Sequence, residues 1–594
     1  MIAILDFGGQ YAHLIATRFR SFGVFTQIYD SDISIDKLDS VKGIVLSGGP
    51  QSVFSDDSLK IDSKIFKMKI PTLAICFGHQ ITSHTLGGIV SKGVKGEYGP
   101  ALLRVEKESL IFKDVSLESK VWMSHFDEVT KIPNNFEIIA STKDCQIAAM
   151  QNKDLNIYGI QFHPEVIHTK EGLKILSNFA DICEVKNTWD LGSFIDKECL
   201  KIREKVKDKK VFLLVSGGVD SSVAFALLEK ALGKERVFGV FMDTGLLRKD
   251  ERKYVESSMK EAGFENLYTE ICEDIFLKNL EKKFLPEEKR KIIGNTFLDV
   301  QKEIVKRLGL NPEDWLLGQG TIYPDTIESG ATKNSHTIKT HHNRVPEIQK
   351  MIDEGKVIEP LVDLYKDEVR EVGRKLGLSN KLVDRHPFPG PGLGVRILCS
   401  NENDLTIIEE GEVNNFKYQI LPIKSVGVQG DQRTYKHPAV LYLNNDRLDW
   451  DKLDQSSVKI VNESDNVNRV VLSLSSKVLQ KFKSKEKYID KNRIKLLQEV
   501  DFIAQKILYD YELKALDVQK VWQFPVVLLP LVNEKNEECV VLRPIWSQEA
   551  MTAEFARLPQ EILNQMSEKI LEIDGIGEVF YDLTHKPPGT IEWE

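Results

Sequence analysis

The stretch Val211-Phe-Leu-Leu-Val-Ser216-Gly-Gly-Val-Asp-Ser-Ser222 restricts the possible folds more than any other part of this chain. Val211 to Val215 is a short apolar run, the signature of a parallel strand buried on both faces. Ser216-Gly217-Gly218 follows without a spacer, and from Ser222 the sequence SVAFALLEKAL predicts a helix with an apolar stripe. The two glycines can adopt positive φ and carry no Cβ, so backbone amides can close around anionic oxygens. The helix aims its N-terminus at the same point, which favours negative charge there. No Gly-Lys-Ser/Thr closes the loop, so it is not a Walker A loop. The unit requires an open α/β sheet with an anion site at the strand end.

The rest of the chain sets the limits. A length of 594 residues predicts three or four domains. The formal charge of −9 is spread along the chain with no long basic block, which argues against nucleic acid as a partner. No run of about 18 apolar residues occurs, so no membrane span is expected. Met1 leads straight into Ile2-Ala-Ile-Leu-Asp6, which reads as a core strand with no targeting segment before it. Seven scattered cysteines without CxxC spacing read as reduced thiols of a cytoplasmic protein.

Residues 1–184 read as one α/β domain. Apolar strands at Ile2–Leu5, Gly43–Leu46, Leu73–Ile75 and Ile157–Ile160, the first three separated by helix or loop, predict a largely parallel sheet. Cys76 stands between a strand and a helix in Leu73-Ala-Ile-Cys76-Phe-Gly78-His-Gln80. That is the layout of a nucleophile elbow, where the helix terminus and a nearby imidazole would favour the thiolate. Tyr158-Gly-Ile-Gln-Phe-His163-Pro-Glu165 then supplies a base and a carboxylate two residues apart, on one side of an extended segment.

After a linker at Cys183 to Trp189, the central domain runs over 185–396. Arg236-Val-Phe-Gly-Val-Phe-Met242-Asp243-Thr-Gly245 is a second strand, with Asp243 at the carboxyl end where ligands of open sheets sit. Glu287-Glu-Lys-Arg290-Lys-Ile-Ile-Gly294 reads as a basic patch with a turn glycine. Leu317-Gly-Gln319-Gly320-Thr-Ile-Tyr323-Pro-Asp325 reads as strand, turn and polar loop. Ser335-His-Thr-Ile-Lys339-Thr-His341-His342-Asn343 reads as a phosphate-handling lid. A zinc site at His336, His341 and His342 lacks a fourth ligand. His386 to Gly394, with three prolines and three glycines, is a stiff connector that closes the domain near Arg396.

These motifs carry a resemblance. Ser216 to Ser222 resembles the SGGxDS pyrophosphate loop of enzymes that cleave ATP between the α- and β-phosphates, and Cys76-x-Gly-x-Gln80 with His163 and Glu165 resembles the triad of class I glutamine amidotransferases. With KRKIIG, GQGTIYPD, IKTHHN, HPFPGPGLG and the final Lys586-Pro-Pro-Gly-Thr-Ile-Glu592-Trp-Glu594, nearly the whole chain resembles the glutamine-hydrolysing GMP synthetase family. The resemblance implies oxyanion stabilisation by amides near Gly49 and Phe77, and glutamine contacts at Gln80, Ser124 and His125. It implies ATP on Ser216, Gly217, Gly218, Val219, Asp220, Ser221, Ser222 and Asp243, with Mg²⁺ at Asp220. It implies XMP contacts at Arg290, Asp431, Gln523, Lys586 and Glu592, beneath a lid carrying Lys339, His341 and His342. Phe77, Tyr323 and Arg344 depart from residues common in the family, and none removes a group the chemistry needs. NAD synthetase and tRNA-modifying enzymes use similar loops. The first pairs with a nitrilase-type glutaminase and the second should carry a basic face. A scaffold protein with dead sites would be expected to lose Cys76, His163 or Asp220.

Residues 397–594 are expected to form an α+β domain of the dimerisation type. Val467-Asn-Arg-Val470-Val-Leu-Ser-Leu474 and Ile576-Gly-Glu-Val579-Phe-Tyr-Asp-Leu583 share a pattern that suggests two related lobes. Where short members of the family turn after Gly427-Val-Gln-Gly430-Asp431, roughly a hundred residues intervene here. An inserted lobe, about 432–520, would cover the surface a partner buries, which predicts a monomer instead of the family's homodimer.

Overall fold

The computed structural model describes the chain apart from residues 9–10, 55–60, 167, 186, 310, 312, 329–345, 385–387, 430–431, 444–446, 516–517 and 548–552. Two compact units emerge, one of Met1–Lys205 with Gln319–Lys375, the other of Val206–Gly318 with Leu376–Glu594.

The first unit is built on a nine-stranded sheet of β1 (Ile2–Asp6), β2 (Thr26–Asp30), β3 (Gly43–Leu46), β4 (Thr72–Ile75), β5 (Ile89–Val105), β6 (Glu118–Lys131), β7 (Glu137–Ser141), β8 (Ala149–Asn152) and β9 (Ile157–Ile160). Their order is β2-β1-β3-β4-β9-β8-β7-β5-β6. The half from β2 to β9 is parallel, as expected, and β1, β3, β4 and β9 are buried along their whole length. The half from β9 to β6 is antiparallel, a departure from the largely parallel expectation. Links as short as 142–148, between β7 and β8, and 153–156, between β8 and β9, cannot hold a crossover helix, so these strands fold back on one another. β6 accordingly alternates buried and more exposed residues, whereas the inner parallel strands β1, β3, β4 and β9 are buried at every position.

The carboxyl ends of β3, β4 and β9 lie side by side, and the loops leaving them carry Gly48, Cys76 and His163. Close approach at this edge requires Gly78, where a Cβ would lie 2.4 Å from the carbonyl oxygen of Leu46. Gly78→Ala is therefore expected to destabilise this unit by about 1–3 kcal/mol. Thermal unfolding should show the midpoint falling, because the clash displaces the helix that follows Cys76.

Gln319–Lys375 packs on the same unit through Arg20. This buried guanidinium donates to Glu368 at 3.0 Å and to the carbonyl of Asp363 at 2.5 Å. Its carbon lies 4.8 to 5.4 Å from the ring centres of Phe25, Trp189, Tyr323 and Tyr365. The polar loop expected at Tyr323 is instead a helix, Tyr323–Glu328. Asp325 reaches back to accept the N–H of Ile322 at 3.0 Å, the return half of a capping box. The Tyr323 hydroxyl accepts the N–H of Ile28 at 3.0 Å.

The second unit opens with four parallel strands, β10 (Lys210–Val215), β11 (Val237–Asp243), β12 (Leu267–Ile271) and β13 (Trp315–Gly318), in the order β12-β11-β10-β13. β10 lies between the strand that follows it and β13. Successive connections leave to opposite sides there and open a crevice at its carboxyl end. The turn expected at Gly294 is absent. One helix, Pro286–Arg307, runs through it, started by Pro286 and by Glu287 and Glu288 in its first turn.

The C-terminal sheet has β14 (Glu409–Val413), β15 (Phe416–Ile420), β16 (Ser425–Gln429), β17 (Gln432–Tyr442), β18 (Val467–Ser473), β19 (Lys483–Ser484), β20 (Val526–Val532), β21 (Glu538–Leu542) and β22 (Ile576–Asp582). The order is β14-β15-β17-β18-β22-β21-β20-β19, with β16 paired to β17. Outward from the central β18/β22 pair, both directions read alike: one parallel neighbour, then two antiparallel ones. Each parallel pair is joined by one helix, Trp450–Glu463 or Gln560–Leu571. β18 and β22 run antiparallel with Leu472 opposite Tyr581, Val471 opposite Asp582 and Ser473 opposite Phe580. An internal two-fold axis thus passes between Leu472 and Tyr581. The hydrogen bonds repeat across it. Leu474 N–H donates to Val579 O and Leu583 N–H to Val470 O, both at 2.9 Å. Val579 N–H meets the Ser475 hydroxyl at 3.0 Å and Val470 N–H the Thr584 hydroxyl at 2.9 Å. The two strands whose pattern repeats in the sequence pair with each other inside one chain. The span expected as an inserted lobe, about 432–520, is instead divided between the halves, with β17 and β18 on one side of the axis and β19 on the other, because the repeat breaks after β18. Among the described residues, no helix is long and apolar enough to cross a membrane.

Candidate active sites

Cys76 has φ +53° and immediately precedes helix Phe77–Thr85, so the strand-to-helix turn is the sharp elbow expected. Its amide donates to Ile160 O at 2.8 Å, which ties the end of β4 to the end of β9. His163 enters from the loop after β9. Its Nδ1 lies 2.7 Å from Glu165 Oε1, and its other face is turned to the Cys76 sulfur. Burial works against a charged ring here, but Glu165 and Cys76 outweigh it and hold the imidazole protonated well above its usual range. Arg18 Nε donates to Glu165 O at 3.0 Å, and Tyr11 sits edge-on to His163 at 5.2 Å.

The remaining residues read for this site surround the elbow. Gly48 is packed close to His163 and Cys76, and Gly49 approaches the Phe7 carbonyl so closely that a Cβ would lie 2.5 Å from it. Phe77 opens the helix. Gln80 donates to Asp127 O at 2.7 Å and to Gln161 Oε1 at 3.3 Å. The Ser124 carbonyl accepts from the Cys76 thiol at 3.6 Å, and His125 Nε2 pairs with Glu97 at 3.1 Å. Gln161 was not singled out in the sequence, yet its Nε2 lies 3.7 Å from the Cys76 sulfur. The signal was present: in an extended segment Gln161, His163 and Glu165 share one side.

In the second unit, Ser216 to Gly218 link β10 to helix Val219–Leu232. Gly217 has φ +74°, and a Cβ there would meet Val255 at 2.8 Å. The hydroxyls shape the loop. Ser221 Oγ accepts the Ser216 N–H at 3.1 Å, Ser216 Oγ accepts the Gly218 N–H at 3.3 Å, and Ser222 Oγ donates to Gly218 O at 2.8 Å. Asp220 lies in the first helical turn beside Val219. Asp243 ends β11, next to β10, and receives Arg252 at 3.3 Å and the Gly245 N–H at 3.1 Å. A serine-lined glycine turn and two carboxylates therefore converge on the carboxyl ends of two adjacent strands.

The final residues form a third cluster. Arg290, on helix Pro286–Arg307, donates to the Glu594 backbone oxygen, and Lys289 pairs with the Glu594 carboxylate at 2.5 Å. Glu592 is gripped by Arg396 at 2.9 and 3.2 Å. Gln523 pairs with Ile545 and Lys586 with Ala553 through backbone bridges. Asp431, Lys339, His341 and His342 lie outside the described residues, as do His336 and Arg344.

An elbow cysteine backed by an imidazole–carboxylate pair, joined in one chain to a strand–Ser-Gly-Gly–helix site, defines an amide-nitrogen-transferring ligase with a glutaminase attached. The class-I glutamine amidotransferase family matches residues 3–183, NAD synthase matches 194–296, and the GMP synthase C-terminal domain matches 409–480 and 511–593. A relative from Leptospira interrogans named "Probable GMP synthase", glutamine-hydrolysing, is 47% identical over all of this chain and 99% of its own. The GMP synthases of Clostridium tetani and Lactobacillus acidophilus are 45% and 44% identical over 80% of this chain and 98% and 96% of theirs. The chain belongs to the glutamine-hydrolysing GMP synthase family. Its extra length relative to the last two agrees with the long form read in the sequence.

Proposed function

We propose that this enzyme converts XMP to GMP with glutamine as nitrogen donor and ATP as activator. Cys76 attacks the glutamine amide, His163 shuttles the proton and Glu165 holds the ring. The Gly49 and Phe77 amides take the developing oxyanion, and Gln80, Ser124 and His125 line the glutamine pocket. Ammonia leaves, protonated by His163, as the thioester forms, and water then hydrolyses the thioester to glutamate and the free thiol. At the second site Ser216–Ser222 and Asp243 hold ATP. The XMP O2 oxygen attacks the α-phosphorus and pyrophosphate leaves. Ammonia then displaces AMP to give GMP. Adenylation is required because oxide is a poor leaving group from that carbon and AMP a good one.

Mg²⁺ is the ion this reading implies. The oxygen donors Asp220, Ser216, Ser221 and Ser222 suit it, and it would neutralise phosphate charge as pyrophosphate departs. Arg290, Asp431, Gln523, Lys586 and Glu592 contact XMP, the cations on its phosphate and the acids on ribose or base. Lys339, His341 and His342 close over the reaction, which takes place in the cytoplasm. The observation that carries this reading is the presence of both apparatuses in one chain matched over its full length by a family relative. Glutamine-dependent conversion of XMP to GMP, with one AMP and one pyrophosphate per turnover, tests it. Pyrophosphate release without XMP dependence would overturn it.

The same reading makes the protein a monomer. A two-fold contact needs the same patch free on both partners, and here β18 has already met β22 within the chain. Light scattering at micromolar concentration is expected to give a mass near 67.6 kDa. A stable mass of twice that value, unchanged on dilution, would mean that the pairing leaves another dimer surface open.

A further inference from the structure

Arg469 is fully buried on β18, and its side chain crosses the internal two-fold into the other lobe. Nη1 pairs with Asp582 at 3.1 Å, the final residue of β22. Nη2 donates to Thr590 O at 2.9 Å, Thr590 Oγ1 at 2.7 Å and Glu592 O at 2.9 Å. Together with Nε it also reaches the Val426 carbonyl, at 2.9 and 3.2 Å. The guanidinium carbon lies 5.0 Å from the centre of the Trp593 ring. One planar fork therefore fixes the backbone on both sides of Ile591 and the ring after Glu592. Only an arginine offers that many donors in one rigid plane.

The counterpart of Arg469 across the two-fold is Glu578, and it does a related task with opposite chemistry. Its carboxylate accepts from Ser473 at 2.8 Å and from Ser475, which leave the end of β18. Each central strand thus uses this position to hold the chain departing from the other. On the Arg469 side, the departing chain carries Lys586 and Glu592.

We infer that Arg469 is a positioning residue for the nucleotide site, acting from the first lobe to set the backbone from which Glu592 projects. This rests on the proposed reading that Glu592 contacts XMP. Removing the side chain leaves Asp582 paired with Arg543 at 2.8 Å, so the core keeps a neutral ion pair and no orphaned carboxylate. The effect then falls on the tail and not on the whole domain.

The test uses the full-length enzyme with ammonium as nitrogen source, ATP saturating and XMP varied. Arg469→Met is expected to raise KM for XMP about tenfold or more. KM for ATP, glutaminase activity and the thermal midpoint should change little. Arg469→Lys keeps the charge without the fork and should also raise KM for XMP, and it carries the test alone if the methionine variant fails to fold. An unchanged KM for XMP in a folded variant overturns the inference, as does a parallel loss of XMP affinity, ATP affinity and stability. Glu592→Gln separates the two levels. If it leaves KM for XMP unchanged, the reading of the tail falls and the inference with it. If it raises KM while both Arg469 variants do not, the inference alone falls.

Discussion

Cys76→Ala is expected to abolish glutamine-dependent GMP formation, by about 10⁴-fold or more, while synthesis from added ammonium continues near the original rate. The substitution removes one atom from a side chain that serves a single step. The elbow, its 2.8 Å bond to Ile160 and the His163–Glu165 pair do not depend on that atom. The ATP loop belongs to the other compact unit, so adenylation of XMP has no reason to fail. Parallel assays with glutamine and with ammonium, each followed by GMP and pyrophosphate, decide the matter. Loss of both activities would mean that Cys76 is structural. Retention of both would mean that another nucleophile opens the amide.

The second large effect is expected on the other half of the chemistry. Asp220→Ala and Lys586→Ala should each reduce GMP formation by about 10²–10³-fold with either nitrogen source, because in the proposed reading both groups act before ammonia arrives. Asp220 sits in the first turn of the helix leaving the serine-glycine loop, the position from which a carboxylate can meet an ion on the phosphates. Glutaminase activity measured alone should survive in both variants. An Asp220→Ala enzyme that releases pyrophosphate from ATP and XMP at the normal rate would remove the loop from the mechanism. A Lys586→Ala enzyme with unchanged dependence on XMP would remove the tail from the nucleotide site.

What could be read from the sequence was local. The elbow at Cys76 is written in consecutive residues, an apolar strand running into a glycine-containing helix start, and so is the loop after Val215. Gly294 misled because a lone glycine signals a turn only when the flanking periodicity breaks. Buried Ile293, Thr296, Val300 and Ile304 keep it intact. Tyr323 reads as a loop residue because the bond that caps its helix runs from the Ile322 N–H to Asp325, both within the stretch that reads as a polar turn. The packing of Gln319–Lys375 with the first 205 residues could not be read at all. It depends on Arg20, with Phe25 beside it, finding Glu368 and the rings of Trp189, Tyr323 and Tyr365 from distant parts of the chain. The paired lobes were half legible. The apolar pattern of β18 and β22 repeats, but Arg469 with Glu578, and Asp582 with Ser473, had lost all likeness.

That lost likeness is a freedom two identical chains do not have. When a two-fold joins separate copies of one polypeptide, every mutation near the axis is made twice, and each side must tolerate its own duplicate. Two arginines or two carboxylates would arrive together, and a change that improved one face would be imposed on the other. With β18 and β22 encoded at different places in one gene, each residue at the axis mutates once. Asp582 could remain against Arg469 while Ser473 and Glu578 settled into a neutral hydroxyl–carboxylate contact across the same axis. The lobe bearing the final Glu592 can keep its chemistry under selection while its twin drifts, provided the twin still presents a matching edge.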